Sequence, residues 1–440
     1  MAYTRSINKV ALGSASTALA ATLYTDFETT HTLFKFPVVE EEDKEPNVPT
    51  ECQLHGHPQR IELLTAAALF VFDEFPSLDR EVFEGAYKAM NQFENKVIVC
   101  MGDFRQIAPV VKGGERSDTV NASIKSSPLW KKFMVKTLTV HLRLQGLRQQ
   151  LELANPEQIY ELKMQEWFAR TLDAIGDGNH PMAFNENYAE GSHSVPISGV
   201  RYLLNTNDSL AFIYPNGFDL SYMTSRAILA VTNESVDMWN NTVQQMNPET
   251  VIHTLCSVDH LCEVDDPNDV LKNMLTEDVL HNFNNAGCPP HVLQLKVNDI
   301  CILLRNLDKA AGLTNNRRVQ VLEITGCVIK VQTLGEHQSI HYIPRIRFKF
   351  RLPYGQSYQL SRKQYPLRLA YAISINKAQG QELQRVVCDF RISPFSHGHA
   401  YVALTRVRHY SHIAILYDPN SLTQTHDPSI TNVVYHELLL

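Results

Sequence analysis

Nowhere in the 440 residues is there a run of 18 apolar residues, a CxxC pair, a GxSxG or a GxxxxGK[ST]. The first absence excludes an apolar helix long enough to span a bilayer. The second leaves eight scattered cysteines, Cys52, Cys100, Cys256, Cys262, Cys288, Cys301, Cys327 and Cys388, which suits a reducing compartment better than a disulfide framework. The third removes the nucleophile elbow of serine hydrolases. The fourth removes the Gly-rich loop whose amides cradle nucleotide phosphates. The opening MAYTRSINKV lacks the basic start, apolar stretch and small-residue cleavage site of a secretory signal. A nuclear or cytoplasmic chain is therefore expected, not a secreted one. An excess of positive charge is missing too. Forty Lys and Arg against 47 Asp and Glu give a net charge of −7, so nucleic-acid contact has to come from a local groove.

What is present reads as α/β. Lys9–Leu12 is a short strand entering a Ser/Ala-rich turn. Ala66–Phe72 (AAALFVF) is a continuous apolar run that stops at Asp73, as in a strand buried on both faces. Glu81–Met90 is helical, and Lys96–Met101 is a second buried strand that stops at Gly102–Asp103. Strand, helix, strand with acids at the strand ends predicts a parallel sheet with its site along that edge. Glu40–Glu45, followed by Pro46 and Pro49, is expected to be a solvated loop. Leu147–Arg170 is a helix-rich connector, and a junction falls in the polar stretch Gly176–Ser194. A second α/β unit follows, with strand Ala227–Thr232 and helix Ser235–Gln245. Ile300–Phe350 carries the short strands and turn signals of a small β module.

Asp73–Glu74 and Gly102-Asp103-Phe104-Arg105-Gln106 carry the chemistry. One carboxylate at such a strand end can hold Mg²⁺ through water, and its neighbour can polarise a water attacking a γ-phosphate. A Gln at the next strand end can touch both phosphate and water. Arg345 to Leu352 alternates cation and apolar residue, so its cations share one strand face. A solvated face gives the same alternation. The surrounding stretch from Glu336 to Glu382 has no acid inside it, yet holds Arg345, Arg347, Lys349, Arg351, Arg362, Lys363, Arg368 and Lys377. That balance favours phosphates as the partner. His253, Cys256, His260 and Cys262 sit in VIHTLCSVDHLCEV, whose alternation aims neighbours to opposite faces, so zinc is not expected there.

VFDEFPSLDREVFEGAYK and the thirty-odd residues from Met101 (MGDFRQIAPVVKGGERSDTVNASIKSSPLWKKF) resemble the Pif-type helicases of superfamily 1, and more closely the helicase domain of Helitron transposons. LTVHLRL (Leu138–Leu144), SRAILAVTNESV, LLRNLDKAAGLTNNRRVQV, YPLRLAYAISINKAQGQEL and FSHGHAYVALTRVR follow in the family's order. His141 stands where that family has Asn. The resemblance implies two RecA-like domains, residues 1–146 and 201–440, joined by a helical connector at 147–200, with the β module inserted at about 300–365. It implies ATP and Mg²⁺ as cofactors, single-stranded and forked DNA as partners, and 5′→3′ unwinding in repair, recombination, telomere maintenance or transposition.

The same resemblance assigns roles: Asp73 to Mg²⁺, Glu74 to the water, Gln106 as sensor, Arg143 and Arg406 as arginine fingers. Lys377, Gln379 and Gly380 would form a loop at DNA and nucleotide, with His31 and Phe34 along the bound strand. In the resembled family a phosphate-binding loop precedes a segment like KVALGSASTALAATL. The expectation is accordingly an N-terminally truncated first domain, belonging either to a fragment of an active helicase or to an inactive single-stranded-DNA-binding remnant.

Overall fold

The computed structural model describes residues 1–24, 26–37, 51–90, 96–111, 113–140, 142–153, 155–181, 192–197, 199–262, 276–283, 287–309, 311–335, 338–352, 359–418 and 429–440. The acidic stretch Glu40–Glu45, His141 and most of the polar stretch before Ser192 lie outside the described residues. The chain divides into two compact units. Unit 1 comprises Met1–Phe212, Leu229–Val231 and Ser374–Leu440; unit 2 comprises Ile213–Ile228 and Thr232–Ile373.

In unit 1, β1 (Val10–Ala15), β2 (Phe27–Thr29), β3 (Ala67–Asp73) and β4 (Val97–Cys100) form a sheet in the order β2-β1-β3-β4, every pair parallel. The apolar runs explain β3, whose Phe70, Val71 and Phe72 are buried, since a parallel strand is covered on both faces. Gly13 of β1 is required by a close approach: a Cβ there would overlap the Phe27 ring. The Arg80–Met90 helix covers one face. Asp79 accepts the Glu81 N–H at 2.8 Å at its start, and Val82, Phe83, Ala86, Ala89 and Met90 face inward. Phe83 meets Phe72 and Phe75 edge-on, at 5.2 and 4.8 Å between ring centroids. Each buried Phe contributes roughly 1.5–3 kcal/mol through apolar area removed from water. Among the described residues β4 is the last strand on its side, and its Val97 and Val99 are 58% and 40% exposed.

Next in the chain come β5 (Ser192–Pro196), β6 (Arg201–Leu203) and β7 (Arg226–Ala230). The antiparallel strands then begin at His253, well ahead of residue 300 where the sequence suggested a β module. They are β8 (His253–Cys256), β9 (Val258–Cys262), β10 (Val292–Leu295), β11 (Ile300–Leu303), β12 (Arg318–Ile324), β13 (Val328–Thr333), β14 (Ile340–Pro344), β15 (Ile346–Arg351), β16 (Gln359–Gln364) and β17 (Leu367–Leu369). β8 pairs with β10, the order β14-β13-β12-β11-β17 makes one sheet, and β15-β16-β9 makes another. The early start has a physical cause: β8 and β9 find partners 36 to 105 residues downstream, so local turn signals do not mark them. Asp299, fully buried, knots this unit by accepting from Gln244, Asn247, the Tyr371 hydroxyl and the Lys296 N–H.

The chain closes with β18 (Ala372–Ser374), β19 (Arg385–Asp389), β20 (Ile413–Leu416) and β21 (Ser429–Val433). A second sheet runs β18-β7-β19-β20-β6, with β19–β20 and β20–β6 parallel, and β21 pairs antiparallel with β5. The described architecture is thus the expected α/β fold with parallel sheets.

Candidate nucleotide site at the sheet edge of unit 1

β3 delivers Asp73 and Glu74 to the edge of its sheet, and the ladder continues one step past β4. The Met101 N–H donates to the Phe72 carbonyl at 2.8 Å and the Phe75 N–H to the Met101 carbonyl at 2.9 Å. This brings Gly102–Asp103 beside Asp73–Glu74. A Cβ on Gly102 would overlap the Pro76 ring, so the two acidic turns approach as closely as a glycine allows. Glu74 adopts a left-handed conformation (φ 50°, ψ 38°), a strained choice for a residue with a side chain. Its N–H donates to Asp73 Oδ1 at 2.9 Å.

Burial, and then the Asp73 charge, raise the Glu74 pKa above the ordinary carboxylate value, while a hydrogen bond from Gln379 and the nearby Arg406 pull it down. The Gln379 amide donates to Glu74 Oε2 at 3.4 Å. The Tyr24 hydroxyl is also raised, first by its hydrogen bond to Asp73. A carboxylate with elevated proton affinity is suited to activating water.

A cavity of about 890 Å³ lies alongside, its walls including Gln106, Gln165, Phe168, Leu172, Tyr401 and Arg406. Gln106 Oε1 is buried and has no hydrogen-bond partner among the described residues. A buried amide oxygen left unpaired costs about 1–3 kcal/mol, so a donor from a bound molecule or water fits that position. Arg406 is buried, and its guanidinium donates to the carbonyls of Val402 (2.7 Å), Ala378 (3.3 Å) and Gln381 (3.2 Å) and to the Thr405 hydroxyl (2.8 Å). These contacts hold the guanidinium in place beside Glu74.

Sequence reasoning missed the residues that hold the sensor turn. Asp103 accepts from Arg105 Nε at 3.0 Å and from the Tyr401 hydroxyl at 3.0 Å, and Arg105 Nη1 reaches Asp173 at 3.0 Å. His397, fully buried, takes the Tyr435 N–H on Nδ1 at 3.0 Å and donates from Nε2 to the Phe104 carbonyl at 2.8 Å. Burial keeps its pKa below the usual value and the ring neutral. Gly398 lies against the same turn: a Cβ there would stand 2.7 Å from the Arg105 oxygen and the Gln106 carbonyl carbon. Only the Asp-x-Arg spacing of Asp103 and Arg105 hinted at this cluster.

Asp73, Glu74, Gln379 and Arg406 come together as described, and Gln106 shares the cavity with Arg406. Arg143 lies in the Leu142–Leu153 helix, whose Leu142 and Gly146 also line the cavity, but its side chain lies outside the described residues. Gly380 follows Gln379 with φ +76°, and Lys377 is half-buried in the Ile375–Ala378 turn.

Phe34, expected along the bound strand, is instead in the core. It is fully buried and lies parallel to Phe72 at 6.1 Å, a core residue because its short helix packs directly on the sheet. His31 is half-buried against Phe36. In unit 2, Arg347 and Lys349 are exposed while Phe348 and Phe350 are buried, the alternation read from sequence. Arg345 instead donates to the Cys256 carbonyl at 2.7 Å and sits over the Tyr365 ring. The Arg351 side chain lies outside the described residues. The acid-free stretch is less bare of acids in space: Arg362 pairs with Asp259 and Arg368 with Asp237.

Fold and site together define a RecA-like α/β fold with parallel sheets and an acidic edge. Residues 1–186 match the family described as PIF1-like helicase, and residues 278–324 match the DNA helicase Pif1 2B domain. Over these segments the chain is similar to the PIF1-like helicases. It is 36% identical over 140 residues to the ATP-dependent DNA helicase PIF1 of Danio rerio and 33% over 149 residues to that of Homo sapiens, each match spanning 31% of this chain and 21% of the relative. The chain therefore matches about a fifth of the length of these relatives. Among solved structures, the Pif1 helicase from Candida albicans shares the fold at a TM-score of 0.61 and 20% identity, over 100% of this chain and 89% of that one. Bacteroides Pif1 bound to single-stranded DNA does so at 0.59 and 19%, over 94% and 84%.

Proposed function

We propose that this chain supplies the water-activating, sensing and strand-binding parts of an ATP-dependent DNA helicase that moves 5′→3′ on single-stranded and forked DNA. The observation that carries the reading is the shared environment of Glu74, Gln379, Arg406 and the unpaired Gln106 oxygen at one sheet edge. Asp73 is the residue to hold Mg²⁺, through water. Bound there, the ion would neutralise charge on the phosphates. Glu74 orients and deprotonates the attacking water, and Gln106 reports on the phosphate. Arg143 and Arg406 offer permanently charged forks to the transferring group. Lys377 and the exposed Arg347 and Lys349 serve the DNA backbone, with Arg345 bracing that strand and His31 bordering the bound strand. A Pif1 structure described at forked duplex DNA supports the choice of partner. The resemblance to Helitron helicases favours transposition, recombination or repair in the nucleus.

A second reading rests on a specific observation. The 440 residues contain no GxxxxGK[ST], so the chain by itself would act as a single-stranded-DNA-binding protein without turnover. Titrating the purified chain with a fluorescent ATP analogue, with and without Mg²⁺ and an oligo-dT strand, separates the two. Mg²⁺-dependent binding that Arg406→Ala weakens supports the motor reading. DNA binding without nucleotide affinity supports the second, and absence of both refutes each.

A further inference from the structure

Far along the chain from the nucleotide edge, unit 2 gathers Asp259, His281 and His291. Each offers one donor atom, and the three donors lie within 4.8 Å of one another. We propose that these three residues form a binding site for one divalent transition-metal ion, zinc by donor type. Among the described residues this is the one such cluster of three or more. It contains none of His253, Cys256, His260 and Cys262, the residues whose types alone suggested zinc.

The geometry suits the ion. His291 Nδ1 stands 3.5 Å from Asp259 Oδ2. Two donors on a tetrahedral ion with bonds of about 2.0–2.1 Å are separated by about 3.3–3.5 Å. The His281 ring stacks on His291, with centroids 3.7 Å apart and an interplanar angle of 16°, so a small rotation of His281 completes three ligands. Two imidazoles and a carboxylate select Zn²⁺ over Mg²⁺ or Ca²⁺, which prefer oxygen donors. The fourth position is left to water.

Arg362 builds the frame. Fully buried, it grips both Asp259 oxygens at 2.8–3.1 Å and donates to the carbonyls of Leu280, His281, Phe283 and Pro289. The backbone around His281 and just before His291 is thereby tied to the carboxylate. Ser257 donates to Asp259 Oδ1 at 2.5 Å, fixing which oxygen faces the rings. The Arg362 charge offsets that of Asp259, so affinity falls below that of a closed thiolate site. An ion here would staple the Glu277–His281 helix and the segment before β10 onto β9.

The test uses the untagged, EDTA-dialysed chain and Co²⁺ alone, whose visible d–d absorption reports inner-sphere binding. The expected result is one saturating equivalent, displaced by Zn²⁺. His281→Ala and His291→Ala should each weaken binding at least about tenfold, and the Cys256→Ser, Cys262→Ser double variant should leave it unchanged. A second readout needs no variant: Zn²⁺ should protect His281 and His291 of the native chain from carbethoxylation. No stoichiometric absorption, equal binding by His281→Ala, or unprotected histidines would overturn the site.

Discussion

The Gln379 amide donates to the Glu74 carboxylate across 305 positions of sequence. The bond joins the acidic turn after β3 to the turn after β18, and it acts on a carboxylate already raised by burial. Removing it therefore changes the protonation of Glu74 as well as the packing of the turn.

Gln379→Ala is expected to raise the Glu74 pKa further, because the lost hydrogen bond favoured the ionised form. Carboxyl carbon NMR across pH 3–9 follows it directly. The stability consequence has a definite sign. A carboxylate whose folded pKa lies above its unfolded value stabilises the fold at low pH and loses that contribution as pH rises through the folded pKa. Glu74→Gln should remove this dependence and raise the melting temperature at pH 8 by roughly 1–3 °C. A decrease would show that the Glu74 charge is satisfied in the folded chain.

Gly398→Ala and Gly380→Ala form a matched pair, since both glycines have φ +76°. At Gly380 nothing lies within 4 Å of a new Cβ, whereas at Gly398 it meets the backbone of Arg105 and Gln106. Each variant pays about 1–2 kcal/mol for the left-handed conformation. Gly398→Ala should lose clearly more in urea denaturation, and it should also weaken nucleotide-analogue binding by displacing Gln106. Equal losses would place the effect in backbone conformation alone.

Breaking the buried pair of Arg362 and Asp259 should be costly: Arg362→Ala is expected to lose about 3–5 kcal/mol, leaving a buried carboxylate and several carbonyls unpaired. The double variant Arg362→Met, Asp259→Leu should recover part of that loss. The Asp259 pKa is lowered in the fold, where hydrogen bonds from Arg362 and Ser257 outweigh its desolvation. Its contribution is therefore complete above the unfolded aspartate value and disappears as pH falls through the folded one. Acid unfolding followed by circular dichroism should begin at higher pH in Ser257→Ala, which keeps the arginine but loses one bond.

For the exposed face of β15, Arg347→Ala with Lys349→Ala should reduce the salt dependence of oligo-dT binding. The slope of log K against log salt should fall in magnitude by roughly 1.4, at about 0.7 per phosphate released. Fluorescence anisotropy between low and moderate salt measures it. An unchanged slope would return this face to the role of a solvated surface.

β3 was legible because it is an apolar run that ends abruptly in acids, a pattern two-sided burial requires; β4 ends the same way, but the buried strand expected there is wrong, since as the last described strand it leaves Val97 and Val99 exposed. Glu74 and Gln106 could be named for the same reason. Phe34 was misread because its sequence says only that an aromatic is present; the parallel Phe72 ring that buries it lies 38 positions away. Arg362 was counted among free cations because its partner Asp259 is 103 residues upstream, beyond any local charge count. Arg368 fails likewise through Asp237. The stacked pair His281 and His291 was invisible because a helix end and a loop, neither with periodic spacing, bring the rings together.

β4 leaves Val97 and Val99 bare at the last described strand of its sheet. Such a margin behaves as a growth front, since its outward amides and carbonyls accept any extended peptide in register. A net charge of −7 spread over 440 residues does not by itself shield so short a margin. Turbidity should climb with concentration, and lysine at Val97 or Val99, by charging the margin, should keep the solution clear.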